Sequence, residues 1–176
     1  MSSAIVHLLR HGQVHNPDRI VYGRLPEFRL AERGQEMARV AAQSLAQRRD
    51  EQGARIVHLV ASPLLRTRQT AQPVAEALDL QIHPDERVIE PWNHFEGLHV
   101  DAAELAKPVH WPHLINPLRP SWGEPYADQV ARMRAAVDDG AHDVASLKAC
   151  TTAGTQCGSC VPMLQKTLEQ RMKAMG

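Results

Sequence analysis

The chain has 176 residues, with 20 Lys and Arg against 20 Asp and Glu, so its formal net charge is zero. That length suits one domain with a full core, and the balanced charge gives no electrostatic ground for a nucleic-acid or membrane-surface binder. No apolar run nears the roughly 20 residues that span a bilayer, and the N-terminus lacks a basic, apolar, small-residue secretory pattern, which makes the cytoplasm the expected compartment.

Residues 4–9, "AIVHLL", and 55–61, "RIVHLVA", are short apolar runs rich in β-formers, the pattern of strands buried on two faces of a parallel sheet. Between them Met37, Val40, Ala41 and Leu45 fall at helical spacing with charges opposite, predicting an amphipathic helix. Ser62-Pro63 supplies an N-cap and a first-turn proline for a second helix, which Pro73 should kink or interrupt. A third strand is expected over residues 80–89, broken by Pro84. This alternation with short links reads as a layered α/β domain.

From Pro91 to Pro125 the texture changes. Six of the twelve prolines and all three tryptophans lie here, which predicts a long ordered loop or lid. Helical spacing returns at Tyr126, Val130, Met133 and Val137. After Asp139-Gly140 no apolar strand is evident, only a Gly/Thr/Cys stretch and a final helical pattern at Leu164, Leu168, Met172 and Met175. The change of character divides the chain into residues 1–139 and 140–176.

In a parallel sheet the carboxyl ends of strands open onto the ligand crevice. His11 stands there after the first strand, between Arg10 and Gly12. Imidazole can attack phosphorus and leave again if the charge on the transferring oxygens is neutralised, and the planar fork of arginine does this well. Arg10 is one such group and Arg66, in the turn after Ser62-Pro63, is a second. Glu90, at the end of the third expected strand, can carry the proton a leaving oxygen needs. His7 alternates into the sheet and His15 begins a loop, so neither is the expected nucleophile.

Three ordered stretches, "LLRHGQVHNPDRIVYGRL", "ASPLLRTRQTAQPVAEAL" and "ERVIEPWNHFEGL", resemble the histidine phosphatase superfamily, the phosphoglycerate-mutase-like enzymes, over residues 4–139. The resemblance implies a three-layer α/β fold, a phosphohistidine formed on His11, a phosphate clamp of Arg10 and Arg66, and Glu90 as proton donor. It implies further that Asn16 touches the phosphate, that Tyr22, Gly23 and Arg24 lie in the substrate-facing loop, and that the substrate is a small phosphorylated molecule needing no cofactor. Gln13 stands where many members carry Glu, which favours a phosphomonoesterase over a mutase.

The resemblance also implies a second pocket histidine after a late strand, and nothing after Asp139 matches it; His142 has no apolar strand before it. Losing such a donor should cost on the order of 3 kcal/mol of transition-state stabilisation. The sheet is thus expected to be incomplete, missing the late strand that lies between the first and second and further strands beyond, with an exposed edge open to self-association. The expected function is a weak or inactive phosphomonoester hydrolase or phosphotransferase, with a non-catalytic phosphate-binding module as the alternative.

"LKACTTAGTQCGSCVPML" resembles part of the 2Fe–2S-binding module of bacterioferritin-associated ferredoxin and the nitrite reductase large subunit. Cys157 and Cys160 match two of its ligands, and the upstream Cys-x-Cys pair is absent from this chain. A cluster wants four thiolates, so a 2Fe–2S centre with an electron-transfer role would require two chains to pool cysteines. Zinc on Cys150, Cys157, Cys160 and His142 is a weaker reading, and reduced thiols without metal are the default. The expected tail is small, helical and Cys-containing.

Overall fold

The computed structural model describes residues 6–53, 56–116, 121–141 and 147–150, the side chains of 52, 138–141 and 147–150 excepted. The first apolar run forms β1 (His7–Leu9), and the second forms β2 (His58–Ala61). Between them lies α1 (Glu32–Gln52), closed by Gly53 in the left-handed region at φ 63°. The second helix, α2, spans Leu65–Leu78. The third strand, β3, covers only Ile82–Pro84, after which Asp85 caps a 3-10 turn at Glu86–Val88 by accepting from the Arg87 amide at 2.8 Å. The segment from 91 to 125 holds a short helix, α3 (Ala102–Leu105), and a 3-10 stretch at Pro108–His113. The last helix, α4, is Tyr126–Ala141, and β4 is Leu147–Cys150.

All four strands are parallel, in the order β1-β4-β2-β3. The expected gap between the first and second strands is therefore filled. Leu9 and Ala61 both pair with Cys150, from opposite sides. The sequence reading missed β4 because four residues with a lysine among them make no recognisable apolar run. An inner strand needs only to complete two ladders, and the argument for an open edge at that place loses its basis. The tail beyond Cys150, with His142, Cys157, Cys160 and the final helical pattern, lies outside the described residues.

Side chains alternate across β2, as a strand requires. Leu59 and Ala61 enter a core with Ala42 and Leu45 of α1 and Ala71, Val74, Ala75 and Leu78 of α2. Val60 enters another with Val88 and with Met133 and Ala136 of α4. Helices thus cover both faces of the sheet, giving the expected three layers. In α1 the buried stripe is Gly34, Ala38, Ala42 and Leu45, whereas Met37 is 50% and Val40 59% exposed. Small residues let the helix approach its neighbours closely. Pro73 sits inside a continuous α2, where the packing of Val74, Ala75 and Leu78 outweighs the lost backbone bond. Ser62 accepts from the Leu64 amide at 3.4 Å, but the N-cap position itself falls on Leu64.

The long segment after Pro91 is tied down by histidines. His94 Nε2 and His110 Nδ1 are 3.2 Å apart, His110 Nε2 donates to Glu104 at 2.9 Å, and His113 stacks on His94 at 3.6 Å between ring centres.

Candidate active site

Two residues beyond β1, His11 is buried. Its Nδ1 lies 2.8 Å from the Gly12 carbonyl oxygen. A carbonyl only accepts, so Nδ1 carries the hydrogen and Nε2 keeps its lone pair. Burial lowers the His11 pKa to about 4; the Gly12 carbonyl opposes this, and the charges of Arg66 and Arg10 add to it. The imidazole is therefore neutral and nucleophilic at ordinary pH.

Backbone packing holds this turn in place. The Gly12 amide donates to Thr70 Oγ1 at 3.1 Å, and the Thr70 hydroxyl donates to the Arg66 carbonyl at 2.8 Å. A Cβ on Gly12 would overlap the Gly34 carbonyl, and one on Gly34 would overlap the backbone of Gln13. The start of α1 and the loop after β1 can touch this closely only because both positions are glycine.

Arg66, in the first turn of α2, has no exposed surface. Its Nη1 donates to Leu25 O at 3.2 Å and its Nη2 to Gly23 O. Among the described residues its buried Nε has no hydrogen-bond partner. The guanidinium lies 4.8 Å over the Tyr22 ring. Burial lowers its pKa, while Glu90, Tyr22 and Glu96 act to raise it.

Tyr22 meets His11 edge-on at 6.2 Å and stacks on Phe28 at 5.4 Å. Burial raises its pKa; Glu90 acts in the same direction, and Arg66 and a hydrogen bond to Arg10 oppose it. His11, Arg10, Arg66, Tyr22 and Glu90 thus share one neighbourhood, drawn from the loops after β1, β2 and β3. Glu90 does not stand at a strand end, as expected, but follows the 3-10 turn, because β3 stops at Pro84.

The other expected residues have structural partners. Asn16 donates from Nδ2 to Ile20 O at 2.8 Å and accepts from the Ile20 amide at 3.1 Å, closing its loop. Gly23, at φ 35°, faces the Glu96 carboxylate where a side chain would collide. Arg24 turns away to Glu124, at 3.2 Å, and to the Glu90 carbonyl, at 2.6 Å. Sequence reasoning missed Glu96, Glu124 and Arg132, which hold these loops together. The only signal was their charge inside or beside a segment read as a lid. Among the described residues no group of three or more His, Cys, Asp or Glu could hold a metal ion, and no helix is long and apolar enough to cross a membrane.

Against this geometry the comparisons with known proteins can be set. The family model of the histidine phosphatase superfamily (branch 1) matches residues 6–150. The uncharacterized protein Rv0525 of Mycobacterium tuberculosis is 47% identical over 135 residues, 76% of this chain and 64% of the relative. The matched stretch thus spans less than two thirds of that relative's length. The mycobacterial glucosyl-3-phosphoglycerate phosphatase Rv2419c superposes with a TM-score of 0.67 at 24% identity, covering 96% of this chain and 82% of the other. Bacillus stearothermophilus YhfR superposes with a TM-score of 0.63 at 26% identity, over 83% of this chain and 72% of the other.

Proposed function

Since the chain belongs to the histidine phosphatase superfamily, we propose that it is a cofactor-independent phosphomonoesterase acting through a phosphohistidine on His11. One observation carries this reading: a buried, neutral His11 with its hydrogen on Nδ1, beside a buried Arg66 whose charge acts on it and whose Nε has no partner among the described residues. In the first step Nε2 bonds to phosphorus as the ester P–O bond breaks, and the leaving oxygen takes the Glu90 proton. In the second, water attacks phosphorus, the N–P bond breaks, and Glu90 receives the proton of that water. Arg10 and Arg66 neutralise the oxygens in transit.

The substrate class is a phosphate monoester of a small alcohol, in keeping with the glucosyl-3-phosphoglycerate phosphatase among the structural neighbours, which has also been seen with inorganic phosphate. Gln13 in place of the usual Glu supports hydrolysis over a mutase reaction. After β4 the sequence continues Thr151-Thr152-Ala153-Gly154 with no imidazole. This supports a slow enzyme, roughly a hundredfold or more below a site with the second histidine. The site is proposed to work in the cytoplasm.

Phosphomonoester hydrolysis by the wild type and His11→Ala tests the reading. The variant should lose at least about a thousandfold in kcat, and an acid-labile phosphoenzyme should form only in the wild type. Equal rates in the two proteins would remove the enzymatic claim. Phosphate affinity without a phosphoenzyme would leave a binding module.

A further inference from the structure

Glu124 lies far from His11 in sequence and was not singled out by its motif, yet its carboxylate joins three parts of the molecule. Oε1 accepts from Arg132 Nε at 2.7 Å, and Oε2 accepts from Arg132 Nη2 at 2.9 Å, a two-pronged pairing with α4. Oε2 also accepts from Arg24 Nη2 at 3.2 Å. Only 11% of the Glu124 side chain is exposed, so solvent screens these pairs weakly.

The other ends of the same guanidinium groups matter most. Arg132 Nη1 donates to the Arg87 carbonyl at 2.5 Å, and Arg24 Nε donates to the Glu90 carbonyl at 2.6 Å. The Glu124 amide donates to the Trp92 carbonyl at 3.2 Å. The backbone that presents Glu90 is therefore gripped at residues 87, 90 and 92, and all three grips meet at one carboxylate residue. Arg24 is fixed from a second side, its amide donating to Glu96 Oε2 at 2.8 Å.

We infer that Glu124 is a positioning residue for the proton donor, setting the place of Glu90 through Arg24 and Arg132. The inference rests on the reading of Glu90 as the group that protonates the leaving oxygen. An acid must sit within hydrogen-bond reach of that oxygen, and a shift of about 1 Å is enough to cost about a hundredfold. Without the Glu124 charge the two arginines lose their common anchor and repel each other, and the carbonyls they hold are released.

A leaving-group series tests this. Proton donation is needed to expel an alkoxide and is dispensable for a dinitrophenolate. Glu124→Gln should therefore lower kcat/KM for an alkyl phosphate by about tenfold or more while leaving kcat/KM for 2,4-dinitrophenyl phosphate, which reports only the steps up to the phosphohistidine, within about twofold. Inhibition by vanadate should stay unchanged. Arg24→Lys, which keeps the charge but cannot reach both partners with one fork, should show the same selective loss. In the double variant Glu90→Gln with Glu124→Gln, the second change should add nothing to the first.

Three results would overturn the inference, and they are distinguishable. Selective loss in Glu90→Gln without selective loss in either Glu124→Gln or Arg24→Lys would overturn it while sparing the role of Glu90. Equal loss on both substrates in the Glu124 variant, or additive loss in the double variant, would make Glu124 merely structural. Equal loss on both substrates in Glu90→Gln itself would remove the proton-donor reading and this inference with it.

Discussion

A neutral His11 has a consequence for acid stability and for rate. Its pKa in the fold, about 4, lies below the ordinary 6.5. Between those values the unfolded chain takes up a proton that the folded chain refuses. Stability from this residue is thus complete above about pH 6.5 and declines as the pH falls toward 4, by up to about 3 kcal/mol. Denaturant titrations of wild type and His11→Gln at pH 7 and pH 4.5 should show a steeper acid loss in the wild type. For the same reason, kcat/KM for 2,4-dinitrophenyl phosphate, whose own second ionisation lies well below pH 6.5, should keep its nucleophile down to about pH 4, so an acid limb near pH 6.5 with that substrate would contradict the neutral imidazole. That His11, Arg10 and Arg66 come together was legible in the sequence, because Arg10 and His11 follow β1 and Arg66 follows β2. Glu124 was not, since it meets Arg24 across 100 residues and Arg132 across 8. Pairings of that kind leave no spacing to read.

Helix α1 was predicted to pack on Met37, Val40, Ala41 and Leu45; of these Leu45 enters the core, and the rest of the buried stripe is made of small residues. Ala38 is 1% and Ala42 3% exposed, while Met37 and Val40 face outward. The period was right and the phase was wrong: an alanine stripe carries little hydrophobic weight in a sequence, yet it fits the narrow space against α2. Ala42→Leu should therefore destabilise the fold by about 1–3 kcal/mol through overpacking, whereas Met37→Ser should stay within about 0.5 kcal/mol. Chemical denaturation of both variants checks the phase directly. Strand β3 shows the opposite limit. Its predicted span was too long because Pro84 ends the strand, and the residues after it turn into a capped 3-10 turn that carries Glu90 forward.

At the scale of the whole molecule, three layers gather the loops after β1, β2 and β3 on one side of the sheet. The layered α/β class was legible from the alternation of apolar runs and helical spacing. The completeness of the sheet was not, because the strand that closes it is only Leu147–Cys150. Helix α4 runs through Asp139-Gly140, the point where the sequence changes character, and β4 follows it into the same sheet. A chain ended after Ala141 should leave β1 and β2 without their shared partner. It is expected to lose its cooperative unfolding transition and to elute as aggregate in size-exclusion chromatography, while a chain ended after Cys150 keeps all four strands. Identical behaviour of the two would remove β4 from the fold.

The register of β4 also sets the order in which this protein can be made. Leu9 leaves the ribosome long before its partner Cys150. Strand β1 must wait, unpaired, until β4 emerges, and so must the flank of β2 that β4 will occupy. Contacts this distant along the chain slow folding and expose strand edges while they wait.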